Sequence, residues 1–142
     1  MTAQGGDAAA GFVVNIEPAN GLVHARCWGF WGAELGAAWQ AEALAAAHRV
    51  RGHAWCVLFD FEGFAPQRPS VQELVRSTIV KIAAFKPRYA VLVADNAITK
   101  LQLVRLLREE GCHAWSFRAR GDEAVAWLKQ ACAEGGGDAG GR

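Results

Sequence analysis

The sequence predicts an α/β domain built on a mixed five-stranded sheet, an N-terminal antiparallel hairpin followed by parallel strands, with about four helices in the order ββαβαβαβα. Three observations carry this. Two β-rich runs near the N-terminus have only a short turn between them. Two later runs, WCVLFDF and YAVLVAD, are almost wholly apolar, as strands covered on both faces are. The segments between and after these runs repeat their apolar residues at helical spacing. Strands joined through helices run parallel in one sheet with right-handed crossovers.

In chain order, FVVNIEP from Phe12 and LVHARCWG from Leu22 flank Ala-Asn and the turn-forming Gly21 and read as the hairpin. Alternation in the second run puts Leu22, His24, Arg26 and Trp28 on one face, Val23, Ala25 and Cys27 on the other. GFWGAELGAAWQAEALAAAHRV sets Trp31, Leu35, Ala38, Trp39 and Ala46 against Glu34, Gln40 and Glu42, a first amphipathic helix. WCVLFDF, Trp55 to Phe61, is the third strand. The loop EGFAPQRP follows, in which Pro66 and Pro69 forbid a helix before Ser70. Val71, Leu74, Val75, Ile79, Ile82 and Ala83 make the second helix face, ended by Pro87. After YAVLVAD, Asp95 or Asn96 caps a third helix with Ile98, Leu101, Val104 and Leu107 as its apolar stripe, stopped by Gly111. HAWSFR is a short fifth strand. Asp122 caps a last helix whose Ala124, Trp127, Leu128, Ala131 and Cys132 repeat at i, i+3, i+4, i+7 and i+8. The Gly/Ala-rich residues 1–11 and the glycine-rich 135–142 are expected to be disordered, leaving one domain over 12–132.

A chain of 142 residues buries roughly 70% of its unfolded surface and needs no staple to fold. A net charge of +1 offers no basic field to a phosphate backbone, so nucleic acid is not an expected partner. No run of eighteen uncharged apolar residues occurs, and the N-terminus lacks a basic region followed by an apolar core; no membrane span and a cytoplasmic location are expected. Cys27, Cys56, Cys112 and Cys132 sit in apolar runs and read as reduced, mostly buried thiols.

His24-Ala25-Arg26-Cys27 and His53-Ala54-Trp55-Cys56, with Cys112-His113, supply soft metal ligands, but residues i and i+3 of a strand point to opposite faces. No metal and no cofactor are predicted. Gly29, Gly32 and Gly36 match neither a dinucleotide fingerprint nor a P-loop. Asp60, Glu62 and Asp95 lie at carboxyl ends of parallel strands, where open α/β sheets hold ligands, yet no histidine stands at those ends and no nucleophile elbow occurs. No enzyme is predicted; a small one using Asp60 ranks last. Trp39, Trp55 and Trp127 read as core. Phe30, Trp31, Phe61 and Phe64, beside glycines and loops, read equally as core or as an exposed contact patch or pocket wall. Ser70-Val71-Gln72-Glu73 has the form of a capping box, worth about 1 kcal/mol to its helix.

The starting hairpin and helix, the acidic Asp60 closing the third strand, Ser70 at the mouth of the next helix and the closing FRARGDEAVAWLKQ resemble the STAS superfamily, in particular its SpoIIAA-like branch, over roughly Phe12 to Cys132. The resemblance implies a non-catalytic protein-interaction or regulatory module with a kinase-like or regulatory protein partner. It implies a partner-binding or regulatory site at Ser70, Asp60, Glu62 and Phe64, although EGFAPQRPS stands where the anti-sigma factor antagonists carry an Asp-Ser-Ser-Gly-type loop. Phosphate on Ser70 would be favoured by the helix N-terminus. The SpoIIAA-like branch is also similar in shape to lipid-transfer domains, which implies as the alternative a small apolar, lipid-like ligand near Phe30, Trp31, Phe61 and Phe64.

Overall fold

The computed structural model describes residues 2–52, 54–109, 115–118 and 120–136. Its strands are β1 (Thr2–Gly6), β2 (Gly11–Glu17), β3 (Leu22–Trp28), β4 (Cys56–Asp60), β5 (Tyr89–Val93) and β6 (Trp115–Arg118). Its helices are α1 (Ala33–Val50), α2 (Pro69–Ala83), α3 (Ala97–Glu109) and α4 (Gly121–Gly136). From β2 onward the order is the predicted one. β2 and β3 form an antiparallel hairpin around a 3-10 turn at Pro18–Asn20, closed by Gly21 in the left-handed region at φ 60°. β3, β4, β5 and β6 run parallel, and the sheet follows chain order from β1 to β6.

The strand β1 corrects the expectation of a disordered tail over 1–11. TAQGG has little β-propensity of its own. It is ordered by the edge of β2, whose N–H and C=O groups need partners, with pairing from Thr2 opposite Asn15 to Gly6 opposite Gly11. Thr2 Oγ1 donates to Asn15 Oδ1 at 2.8 Å, and Asp7 Oδ1 accepts the amides of Ala9 and Ala10 to close the turn into β2. At the other end Gly135 and Gly136 belong to α4, and residues 137–142 of the expected tail lie outside the described residues.

Crossovers of one hand that step across a sheet in one direction put their helices on one face. α1, α2 and α3 share that face, over Phe12, Val23, Ala25, Val57, Phe59 and Leu92. α4 follows the last strand and packs on the opposite face, where Ala124, Leu128 and Cys132 meet Leu22, Leu58, Val91 and Val93. Trp39 and Trp55 are core, as expected, at 0% and 1% exposure. Burying each contributes about 4–6 kcal/mol of transfer free energy before entropy is counted.

Four details differ from the sequence reading. Trp31 precedes α1 rather than joining it, and Ala38 is exposed, so the buried face of α1 is Gly36, Trp39, Ala43, Ala46, Ala47 and Val50. On α3 the face is turned: Thr99, Leu103 and Leu106 are buried, whereas Ile98 is 58% and Leu101 69% exposed. Trp127 is 37% exposed, edge-on to Tyr89 with ring centroids 5.3 Å apart. Finally, Cys56 and Cys132 are not free thiols but a disulfide between β4 and α4, with Cα atoms 6.5 Å apart. Cys27 is free and buried, and Cys112 lies outside the described residues. Among the described residues no helix is long and apolar enough to cross a membrane.

Candidate functional site

The predicted site residues gather at the carboxyl ends of the parallel strands, where the turn after β3, the loop 61–68 and the first residues of α2, α3 and α4 meet. Gly29 joins two of these. Its amide donates to Gly63 O at 2.8 Å and its carbonyl accepts from Ala65 at 3.1 Å. Its φ of 83° and the closeness of Ala9 O leave room for no side chain.

Gln67 is the knot of the loop, and nothing in the sequence reading singled it out. It is 6% exposed. Its Oε1 accepts the Trp31 amide at 2.9 Å, and its Nε2 donates to Gly29 O at 2.9 Å and Ala65 O at 2.6 Å. Its own amide donates to Gln102 on α3 at 3.3 Å, while Gln72 of α2 donates to its carbonyl at 2.8 Å. A buried amide so engaged holds three segments in one geometry. Thr99 Oγ1 adds a second tie from α3, donating to Phe64 O at 2.8 Å.

The acidic residues have separate tasks. Asp60, 7% exposed, accepts the Glu62 amide through Oδ1 at 3.0 Å. Glu62 is exposed and its Oε1 accepts the Gly121 amide, the first free N–H of α4. Asp95 Oδ1 accepts the Gly63 amide at 2.9 Å, and it is Asn96 that caps α3, its Oδ1 taking the amides of Ile98 and Thr99 at 2.9 and 3.1 Å.

The expectation that no histidine reaches these ends is corrected by His24. Parallel register sets Arg26 beside Asp60, and from two residues earlier on the same face His24 brings Nε2 to 3.9 Å from Asp60 Oδ2. Among the described residues that buried nitrogen has no hydrogen-bond partner. On the opposite face of β3, Cys27 lies in the main core, so His24 and Cys27 diverge as alternation requires. Burial pushes the Cys27 thiol well above its ordinary pKa, the Asp60 carboxylate adds to the shift, and Arg26 offsets part of it.

Ser70 is exposed but caps nothing. α2 begins at Pro69, so the N-cap is Arg68, whose carbonyl accepts the amides of Val71 and Gln72 at 3.1 and 3.0 Å; no side chain caps this end. Glu73, the other half of the expected capping box, is held by Arg76, whose Nε donates to it at 2.7 Å and keeps its carboxyl below the usual range. The expected capping box does not form.

The four aromatic residues divide. Trp31, Phe61 and Phe64 are 0–2% exposed and pack on one another, with the Trp31–Phe64 and Phe61–Phe64 centroids 4.9 and 5.0 Å apart. The space beside them, lined by Phe64, Gln67, Val75, Thr99, Leu103 and Leu106, is about 10 Å³. That space, which only Phe64 of the three borders, holds about one water, and the three buried rings are core. Phe30 is 50% exposed, with the Arg68 guanidinium 4.7 Å over its ring. Of the expected α3 stripe, Ile98 and Leu101 lie outside the core and line a shallow groove of about 580 Å³ with Gln102, Val104, Arg105 and Arg108, while the Leu107 side chain lies outside the described residues. Large apolar side chains exposed together mark contact surfaces.

Among the described residues no group of three or more His, Cys, Asp or Glu side chains is arranged to hold a metal; His53 and the Cys112-His113 pair lie outside them. No family model matches the chain, no curated protein matches it, and no solved structure matches it.

Proposed function

We propose that the chain is a non-catalytic, STAS-like regulatory module of the cytoplasm that binds a protein partner across loop 61–68, the Ser70 end of α2 and the outward face of α3. The observation that carries this reading is the pair Ile98 and Leu101, 58% and 69% exposed and one helical turn apart. Folding gains nothing from leaving two such side chains in water, whereas a partner would bury them. The surface is also stiff: Gln67 and Thr99 fasten α3 to the loop, so its presentation costs little ordering on binding. Ser70 stands exposed in the first turn of α2, where a phosphate would lie at the positive end of the helix dipole. The element order supports the STAS-like reading, and the burial of Trp31, Phe61 and Phe64 in the core disfavours the apolar-ligand alternative at those rings.

The test is capture of partners from native lysate by the wild-type chain, by Ile98→Ser with Leu101→Ser, and by Ser70→Glu. A protein retained by the wild type and lost by the α3 variant at unchanged melting temperature supports the reading. Capture indifferent to both the α3 and the Ser70 changes overturns it.

A further inference from the structure

α4 packs on its face of the sheet through a narrow apolar stripe. Among its described side chains Ala124, Leu128 and Cys132 enter the core beneath, with Val125 partly buried beside them. At the rim lie the Glu62 carboxylate on the Gly121 amide, Lys129 Nζ 3.2 Å from Glu17 Oε1, and Trp127 against Tyr89. Rim contacts of this kind are individually weak. To these the covalent bond from Cys132 to Cys56 adds a tie between chain positions 76 residues apart.

Both half-cystines are buried, Cys56 at 0% and Cys132 at 4% exposure, but their settings differ: Cys56 lies in an inner strand of the parallel set, whereas Cys132 stands near the end of α4, before Gly135 and Gly136. Glycine weakens a helix, and helix ends fray first, so opening of the last turn uncovers Cys132 before any strand moves.

We infer that Cys56–Cys132 is a thiol–disulfide modification site that latches α4, and that a protein dithiol reduces it and frees α4 from Leu22, Leu58, Val91 and Val93. A thiolate of the dithiol attacks Cys132 Sγ, the Cys56–Cys132 bond breaks, and Cys56 leaves as a thiolate that takes up a proton. The second thiol of the reductant then attacks the reductant's own sulfur in the mixed disulfide. Cys132 is released and protonated, so two electrons and two protons have passed to the chain and the reductant carries the disulfide. In the cytoplasm, the location proposed above, disulfides are mostly transient and sensing. The latch itself stands on the geometry of α4 and is tested without reference to the α3 surface.

The experiment compares amide hydrogen exchange of the full air-oxidised chain with the same protein in dithiothreitol, with thiols counted by maleimide labelling and mass. Reduction is expected to expose two additional thiols and to speed exchange within residues 121–132 by about tenfold or more, leaving α1 and β2 unchanged. Cys132→Ser should show the same local loosening without reductant; should that variant fail to fold, the reduced wild type decides. Unchanged exchange in α4 overturns the latch. So does an equal rise across α1 and β2, which would make the bond a general staple, and so does an air-oxidised chain with no disulfide.

Discussion

A methyl group on Gly121 would overlap the Asp60 carboxylate, because the first residue of α4 lies directly against the end of β4. Asp60 cannot simply swing away: Oδ1 is engaged by the Glu62 amide, and Oδ2 faces His24. The glycine is thus required by proximity and not by backbone angles, and the acidic end of β4 sets where α4 can begin.

Gly121→Ala is therefore expected to cost about 1–3 kcal/mol by overpacking, although the same change at an exposed helical position stabilises by up to about 1 kcal/mol. Asp60→Ala should lift most of that penalty. Urea unfolding of both single variants and the double variant gives the coupling, expected at about 1 kcal/mol or more. Strictly additive effects would show that the two residues do not meet.

Gln67 should behave as a core residue although it is polar. Gln67→Met keeps the volume but strands the Trp31 amide and the Ala65 carbonyl and leaves Gly29 O only its bond from the Ala65 amide, at an expected cost of about 2–4 kcal/mol. The check is a lower urea midpoint with an unchanged m-value. A Met variant within about 0.5 kcal/mol of wild type would mean the loop is held by other contacts.

Ser70→Ala should leave stability within about 0.5 kcal/mol of wild type, since no cap is lost. Ser70→Asp should gain about 0.3–1 kcal/mol from the helix dipole, and high salt should erase the gain. A loss near 1 kcal/mol on Ser70→Ala, measured by thermal melting, would restore the hydroxyl as a cap.

How far the sequence determines these features differs from element to element. WCVLFDF and YAVLVAD read as central strands because a strand between two layers has no polar face, and the helices beside them follow from their period. The phase of α3 is another matter. AITKLQLVRLLRE carries apolar residues on both sides, Ile98 and Leu101 on one, Leu103 and Leu106 on the other, and periodicity alone cannot choose. The tie from Thr99 to Phe64 O helps choose, and that is a tertiary contact. His24 meeting Asp60 required the register of β3 on β4, and the Cys56–Cys132 pairing required α4 to cross to the second face. β1 is ordered by its neighbour and not by its composition. The start of α2 was legible after all: Pro69 suits the first helical position, which makes Arg68 the cap and moves Ser70 inside.

The Cys27 thiol gives stability a pH dependence whose sign follows from its burial. Its pKa in the folded chain stands well above the ordinary value, chiefly through burial and secondly through Asp60. The folded state therefore keeps the proton where the unfolded chain has lost it, and stability is full below the unfolded thiol's pKa of about 8.5. Above that it falls, by up to about 1.4 kcal/mol for each pH unit, until the folded thiol also ionises. Cys27→Ala removes this contribution. Urea midpoints taken from about pH 7.5 to 10 should decline more steeply for wild type than for the variant, the difference opening only above about 8.5. Parallel declines would mean that the Cys27 thiol ionises as readily in the fold as outside it.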